Sequence, residues 1–379
     1  MDNINRRDMM KASAGVFAGL ASASTFPKSL SAAVHTLRRG RIAPRIKFGV
    51  IGLNHGHING QVDTTTKGGG ELVSFYAKEP DLRDAFAKRY PNAKVAKDER
   101  EVLEDPTIQL ILSASIPAER APLGIRVMKA GKDFMSDKPG ITSLEQLAEA
   151  RKVQAATKRI YSILYSEHFE VGAAVKAGDL VKAGAIGQVI QTIGLGPHRV
   201  SPQTRPEWFW DAKNYGGIIC DLASHQFEQF LFFTGSTSAE IVASQVRNIR
   251  HKDHPKFEDF GDVMIRGNGG TGYIRVDWFT PAGLPTWGDG RMTILGTDGY
   301  IELRKYVDIG GPTPGGDHLF LVDQKGVQKI ECKDVEKPYG RQLVDDVVNR
   351  TETAMPQAHC FLAAEMSIKA QLAAKHLAI

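Results

Sequence analysis

The sequence has little cysteine and no long apolar run. Cys220, Cys332 and Cys360 are too few among 379 residues for a disulfide framework, although one bridge remains possible in an oxidising compartment. No stretch of about 20 apolar residues is present, so we predict no stable membrane anchor. The 48 basic and 43 acidic residues alternate, so the net charge of +5 forms no nucleic-acid-binding patch. A globular chain long enough for two domains remains.

The N-terminus carries an export signature. Paired arginines at 6–7 precede a weakly apolar stretch, 12–26, that is rich in Ala, Gly and Ser. This order is typical of a twin-arginine signal peptide, and the small residues at 31–33 offer a cleavage site. We therefore predict a signal peptide over 1–33, a linker or arm over 34–45, and transport by the twin-arginine export machinery to the periplasm. The alternative is a disordered basic tail.

A buried strand that starts at residue 46 runs into a glycine-containing turn and then a polar segment. That order is typical of a dinucleotide phosphate site, where helix N–H groups face the pyrophosphate. Against Gly-x-Gly-x-x-Gly, the three positions hold Gly52, Asn54 and His57, and Asn tolerates positive φ better than other non-glycine residues. The turn residues predicted to bind the cofactor are Gly52, Leu53, Asn54, His55 and His57. Taken alone, the pattern equally suits a plain strand-to-helix connection.

The second strand ends without the acidic residue that usually binds the ribose 2′-hydroxyl of NAD. Its place falls on Ala77, and Lys78 and Glu79 follow. The missing acidic residue, next to a lysine, leaves room for the 2′-phosphate of NADP. Glu79 could instead reach back to the ribose. We predict that Ala77 and Lys78 lie at the cofactor and leave the choice between NAD and NADP open.

Strand and helix patterns alternate over 46–165, which predicts an α/β Rossmann domain with a doubly wound parallel sheet. The strand patterns of the second domain, 166–379, are separated by turn signals such as Gly269-Gly270. They predict an α+β substrate domain with a large, mostly antiparallel open sheet.

A polar and aromatic loop in the second half suits a sugar, which offers an apolar face and a rim of hydroxyls. The predicted substrate-binding residues are His198, Arg199, Trp208 and Trp210. The alternative is that the tryptophans pack the core or an interface, and we expect one of the two to do so.

The pair His55 and His57 also suggests a metal, since imidazoles two residues apart can share a cation. Metal sites need three or four ligands, and no third ligand with fitting spacing is present. We therefore predict no metal and expect both histidines to line the pyrophosphate or substrate side of the turn.

Several motifs together resemble the glucose–fructose oxidoreductase, inositol dehydrogenase and rhizopine-catabolism family (Gfo/Idh/MocA) over roughly 46–379. The chain departs from the family's pattern in its two turn histidines and in a segment, Ser115 to Pro117, that lacks a histidine often found there, with Arg120 nearby. The motifs that carry the resemblance are the glycine-containing turn, Asp105-Pro106 before a buried strand, Ala130-Gly131-Lys132, Asp137-Lys138-Pro139, and Gly216-Gly217 with Asp221 and His225.

The resemblance implies an NAD(P) cofactor and a homo-oligomer, dimer or tetramer, that packs through the open sheet. It places Lys138, Asp221 and His225 around the reacting carbon, and Ser115, Asp137, Lys138 and Pro139 at the cofactor. A histidine suits the base that takes the hydroxyl proton, because its pKa lies near the working pH. A lysine stabilises the negative charge that develops on oxygen. Asp221 would orient the imidazole or bind a neighbouring hydroxyl.

These features predict an NAD(P)-dependent oxidoreductase that acts on a sugar, a sugar derivative or a cyclitol. The periplasm has no nicotinamide pool, so the cofactor should be tightly bound, held by very high affinity or by the arm. One alternative is a glycoside hydrolase or lyase that uses transient oxidation and elimination. A second is a non-catalytic sugar or nucleotide sensor, against which the retained lysine, aspartate and histidine argue.

Overall fold

The computed structural model describes residues 44–311 and 315–377. The predicted signal peptide and nearly all of the predicted arm therefore lie outside the described residues.

The first half alternates strands with helices. The strands are β1 (Ile46–Ile51), β2 (Gly70–Tyr76), β3 (Lys94–Val95), β4 (Leu110–Ser113), β5 (Asp133–Asp137) and β6 (Tyr161–Leu164). The helices are α1 (Ile58–Lys67), α2 (Pro80–Arg89), α3 (Glu99–Leu103), α4 (Pro117–Lys129) and α5 (Leu144–Thr157).

Every strand of this half pairs in parallel, in the order β3-β2-β1-β4-β5-β6. The predicted doubly wound Rossmann sheet is therefore confirmed. The chain order reverses between β1 and β4, and ligands bind at such a point in folds of this type, outside the carboxyl ends of the strands.

Local sequence explains where the helices of this half begin. Asp98 and Ser143 cap α3 and α5 by accepting hydrogen bonds from backbone N–H groups three residues on. Pro117 occupies the first turn of α4, where its missing N–H has no helical partner to lose. Gly131, with φ +78°, follows the end of that helix.

The second half contains short helices, a long sheet and two helices that follow it. The helices are α6 (Ser166–Phe169), α7 (Gly172–Lys182), α8 (Ala212–Tyr215), α9 (Ile218–Asp221), α10 (Ser224–Thr234), α11 (Tyr339–Asn349) and α12 (Gln357–Ala373). The strands are β7 (Val189–Pro197), β8 (Ala239–Arg247), β9 (Phe260–Gly267), β10 (Gly270–Asp277), β11 (Arg291–Gly296), β12 (Gly299–Arg304), β13 (His318–Asp323), β14 (Gly326–Glu331) and β15 (Lys375–His376).

The nine strands form one sheet in the order β14-β13-β12-β11-β7-β10-β9-β8-β15. Two pairs, β7 with β10 and β8 with β15, are parallel, and the others are antiparallel, so the predicted mostly antiparallel sheet is confirmed. Helices α7, α10 and α12 pack on one face. Ile190, Val242 and Met264 on the strands are exposed by 46%, 54% and 54%, so the sheet also presents apolar side chains to solvent.

All three cysteines are buried free thiols in the described structure, so the single disulfide that the sequence left open is not formed. Within residues 44–311 and 315–377, no helix has both the length and the apolar character that a membrane span requires.

Candidate active site

The turn after β1 begins at a glycine that no other residue could replace without strain. Gly52 has φ +86°, and a Cβ there would lie 2.5 Å from the Cβ of Ser115. The tight turn therefore depends on Gly52, whereas Asn54, which we expected to supply positive φ, does not have it. Leu53 is buried beneath the turn, and His57 lies at the N-terminus of α1.

A narrow crevice of about 40 Å³ lies beside this turn, between the ends of β1 and β2. The Asn54 side-chain amide donates to Glu79 Oε1 at 2.8 Å, so an acidic group does face the crevice, two residues after the predicted position. Ala77 is buried in its wall, and Lys78 is exposed, with its Nζ 3.4 Å from Glu119. The positive φ of Gly52 and this carboxylate fit the pyrophosphate and ribose of a dinucleotide.

A buried arginine ties the turn after β4 to the Lys-Pro segment after β5. Arg120 donates to the carbonyl oxygens of Ser115, Lys138 and Pro139, and its guanidinium lies 3.1 Å from Asp137 Oδ2. The Lys138–Pro139 peptide is cis. Asp137 is fully buried; burial alone would raise its pKa, but the charges of His57 and Arg120 hold that pKa well below its usual range.

The predicted catalytic residues meet in a cavity of about 430 Å³ at the carboxyl edge of the Rossmann sheet, where the second domain covers it. Lys138 Nζ lies 3.0 Å from Asp221 Oδ1, with both side chains largely buried. Asp221 therefore pairs with the lysine. It makes no hydrogen bond to His225 among the described residues, which disfavours the first predicted role, orienting the imidazole, and leaves the second, binding a neighbouring hydroxyl, as a prediction. Asp221 ends α9 and His225 lies in α10, so the two do not share one continuous helix.

His225 is 2% exposed, and its Nδ1 finds no hydrogen-bond partner among the described residues. Burial, reinforced by the positive charges of Lys138 and Lys305, lowers its pKa well below the usual value. The imidazole is therefore uncharged at physiological pH, and its lowered pKa makes it a weaker proton acceptor than a free imidazole.

Three of the four predicted substrate residues line the cavity, and the fourth does not. His198 and Trp208 line the cavity, and burial, with the charge of Lys138, lowers the pKa of His198 to about 3. Trp210 is buried away from the cavity and stacks on His254 at 3.9 Å between ring centroids, so it is the packing tryptophan. Arg199 borders the cavity, but its guanidinium donates to the carbonyl oxygens of loop residues 281–286 and holds that loop.

Except for Trp287, whose loop the sequence also suggests as a substrate contact, the other lining residues were missed because they come from distant segments. Glu167 Oε2 accepts from Lys305 at 2.8 Å and from Gln226 at 3.0 Å, while its Oε1 is buried without a partner among the described residues. The remaining cavity residues include Arg205, Trp278, Trp287 and Tyr306. The two tryptophans come from the segments after β10 and before β11, and no local signal in the sequence relates them to Lys138.

The turn histidines line the same cavity, as expected for the substrate side of the turn. His57 Nδ1 lies 3.0 Å from Asp137 Oδ1, and His55 Nδ1 lies 3.7 Å from Asp137 Oδ2. The sequence argument against a metal rested on the lack of a third ligand near the pair. Asp137, 80 residues beyond His57, supplies a carboxylate oxygen as a third donor, and one donor atom from each of the three residues lies within 4.8 Å of the other two.

Two family models match the two halves of the chain. Residues 46–165 match the oxidoreductase family with an NAD-binding Rossmann fold, and residues 174–302 match the Gfo/Idh/MocA C-terminal domain. The chain belongs to the Gfo/Idh/MocA family of oxidoreductases.

Individual relatives agree with that assignment. A crystal structure of an Erwinia carotovora atroseptica protein is 46% identical, with a TM-score of 0.85, and the match covers 88% of this chain and 100% of that one. The chain is 25% identical to scyllo-inositol 2-dehydrogenase (NAD(+)) of Bacillus subtilis over 68% of this chain and 74% of that enzyme. It is 24% identical to levoglucosan dehydrogenase of Pseudarthrobacter phenanthrenivorans over 42% of each chain.

Proposed function

We propose that this chain is an NAD-dependent dehydrogenase that oxidises a secondary hydroxyl of a sugar, a sugar derivative or a cyclitol. The observation that carries the proposal is the enclosed cavity in which Lys138, Asp221 and His225 meet beside the cofactor turn. The relatives named for scyllo-inositol and levoglucosan are consistent with this substrate class. Neither of these two relatives supports the hydrolase or the sensor alternative.

The charge of each side chain and its position in the cavity indicate its role in the reaction. Lys138, held by Asp221, donates a hydrogen bond to the substrate oxygen and stabilises its developing negative charge. His225, an uncharged imidazole on the cavity wall, accepts the hydroxyl proton. When bound, the nicotinamide accepts the hydride from the carbinol carbon. Gly52, Glu79 and Arg120 with its Lys-Pro segment would hold the dinucleotide.

The remaining walls of the cavity suit a polyhydroxylated ring. Trp208, Trp278 and Trp287 offer apolar faces. Glu167, with one oxygen unpartnered among the described residues, is an acceptor for a ring hydroxyl. His198, whose pKa is lowered to about 3, stays neutral there and adds no charge.

We favour NAD over NADP because of Glu79. Its carboxylate, fixed by Asn54, faces the crevice where the ribose 2′-hydroxyl binds in this fold. A 2′-phosphate there would meet a like charge, and the nearby Lys78 is exposed and paired with Glu119. This argues for NAD where the sequence alone left the choice between NAD and NADP open.

We also propose export by the twin-arginine pathway, a periplasmic location, a tightly held cofactor and a dimer or tetramer. The first three rest on the paired arginines at 6–7 and on the absence of a nicotinamide pool outside the cytoplasm. The oligomer rests on the apolar side chains that the second sheet exposes, including Ile190, Val242 and Met264.

The first test is an absorbance spectrum and denaturing mass analysis of the dialysed mature protein, before and after sugars and aryl glycosides are added. We expect retained NAD, identified by mass against NADP, and a 340 nm band that rises with one sugar or cyclitol. Release of an aryl alcohol with no net change in the band would instead support the hydrolase. A protein without nucleotide would contradict tight binding.

The second test removes the reacting groups. Lys138→Ala and His225→Ala should each lower turnover by roughly 10² or more, because each removes a side-chain group that acts on the hydroxyl. The nucleotide should stay bound, because the Lys138 backbone that Arg120 holds is unchanged. The control is Lys129→Ala, an exposed lysine paired with Glu149 outside the cavity, which should leave turnover unchanged. Full activity in either cavity variant would overturn the assignment.

A further inference from the structure

We infer that His55, His57 and Asp137 bind a divalent transition-metal ion, with Zn²⁺ as the best-fitting ion, on the wall of the substrate cavity. One donor atom from each residue can be chosen so that all three lie within 4.8 Å of one another, which no other group of three such residues achieves among the described residues. Binding of the ion does not depend on the proposed dehydrogenase activity.

The spacing of the donor atoms matches metal coordination. In a tetrahedral zinc site with bonds of about 2.0–2.1 Å, neighbouring ligand atoms lie roughly 3.3 Å apart. His57 Nδ1 lies 3.0 Å from Asp137 Oδ1, and His55 Nδ1 lies 3.7 Å from the other carboxylate oxygen, Oδ2, so each histidine is near that spacing from one oxygen of Asp137. The two imidazole rings lie 4.0 Å apart at 67°, so both can turn a nitrogen toward one point. Small side-chain rotations would complete the set.

The hydrogen bonds show what a metal would replace at each histidine. His57 Nδ1 donates to Asp137 Oδ1 at 3.0 Å, and a metal bound at that nitrogen would displace its proton. The backbone N–H of His57 donates to His55 Nδ1 at 3.2 Å, which identifies that nitrogen as unprotonated, and a metal would replace this long bond. Asp137 Oδ2 is buried and accepts no hydrogen bond of good geometry among the described residues, although the guanidinium of Arg120 lies near it. A buried oxygen without a hydrogen bond can coordinate a cation without giving up an existing hydrogen bond.

The neighbouring cations do not exclude the ion. Arg120 donates hydrogen bonds to the carbonyl oxygens of Ser115, Lys138 and Pro139. Lys138 is paired with Asp221. Arg120 also lies 3.1 Å from Asp137 Oδ2, so a metal ion would share the Asp137 carboxylate with Arg120. The histidines face the cavity, with 32% and 43% of their side chains exposed.

Two imidazoles and a carboxylate form a ligand set typical of catalytic zinc, which keeps its remaining position for water or substrate. Because the histidines open onto the cavity, that position faces the bound sugar or cyclitol. The ion would then bind a substrate hydroxyl and act as a Lewis acid beside Lys138, a role that rests on the proposed function.

The test measures metal binding alone, on the full chain stripped with a chelator, without nucleotide or sugar. Isothermal titration with Zn²⁺ should give one site per chain, and Co²⁺ should give a visible d–d absorption band. His55→Ala and His57→Ala should each weaken Zn²⁺ binding by at least tenfold. His359→Gln, a histidine paired with a carboxylate outside the cavity, is the matched control and should bind as the native chain does.

No stoichiometric uptake by the native chain, or uptake that both cavity variants retain, would overturn the inference. A band and a titration that vanish together in His55→Ala and His57→Ala would support it. Metal uptake without any sugar oxidation would count against the proposed dehydrogenase and leave the metal site standing, so the two failures are distinguishable.

Discussion

The chain contains two clusters of the same composition, each with two histidines and one carboxylate. The cavity cluster consists of His55, His57 and Asp137, and the core cluster consists of His168, His359 and Glu228. In the core cluster, Glu228 Oε1 lies 3.0 Å from His168 Nδ1 and 3.1 Å from His359 Nε2. His168 of α6 and His359 of α12 thus both pair with Glu228 of α10.

The cavity cluster differs from the core cluster in the solvent exposure of its histidines and in having a carboxylate oxygen without a hydrogen bond. Its histidines are partly exposed, and one oxygen of Asp137 has no hydrogen-bond partner among the described residues. Identical residue types therefore serve two purposes, which their position in the fold determines. A carboxylate in the middle of a packed helix stabilises the protein, whereas one at the carboxyl end of a parallel strand faces a ligand.

The largest effect should come from Glu228→Gln. Burial alone raises the pKa of a carboxyl, but His168 and His359 outweigh burial and lower the pKa of Glu228 to about 2. Loss of that charge should lower the free energy of unfolding by about 3 kcal/mol, measured by urea denaturation. Glu104→Gln removes an exposed pair with Arg100 and should cause no measurable change. If Glu228→Gln also left the free energy of unfolding unchanged, the core cluster would not be stabilising the fold.

A smaller effect should appear when the difference in unfolding free energy between the native chain and Glu228→Gln is measured at two pH values. Because the folded pKa of Glu228 is about 2, below its ordinary 4.5, its contribution is complete above pH 4.5 and is lost as pH falls toward 2. The gap in unfolding free energy between the native chain and Glu228→Gln should narrow by about 1 kcal/mol from pH 6 to pH 4. Urea titrations at both values measure it. A gap that widens on acidification would contradict the assigned charge.

The sequence sufficed for the fold because strand and helix periodicity is local. The alternation over 46–165 predicted the parallel sheet, and the turn signals beyond it predicted the second sheet, both of which the structure contains. Lys138, Asp221 and His225 were brought to one site by a resemblance to a family, and the structure places all three in one cavity.

The sequence failed where contacts join distant segments. It could not pair Asp137 with His57, nor show that Asp221 holds Lys138 rather than His225, because spacing along the chain does not encode which strand ends meet. The same reason explains Trp210, whose neighbours in sequence face a sugar-sized cavity while its own ring stacks on His254. Buried Arg120 carried no motif at all.

The smallest effect should come from His57→Gln, and it separates the two clusters most sharply. The imidazole is partly exposed and makes one 3.0 Å contact to Asp137, which keeps Arg120 beside it. In chelator, the variant should unfold within about 0.5 kcal/mol of the native chain. Zn²⁺ at a hundredfold excess over its dissociation constant should then stabilise the native chain by about 2.7 kcal/mol, and His57→Gln much less. A loss of several kcal/mol in chelator would instead make the cavity cluster a structural network like the core cluster, because its histidine would then be supporting the fold without any ligand.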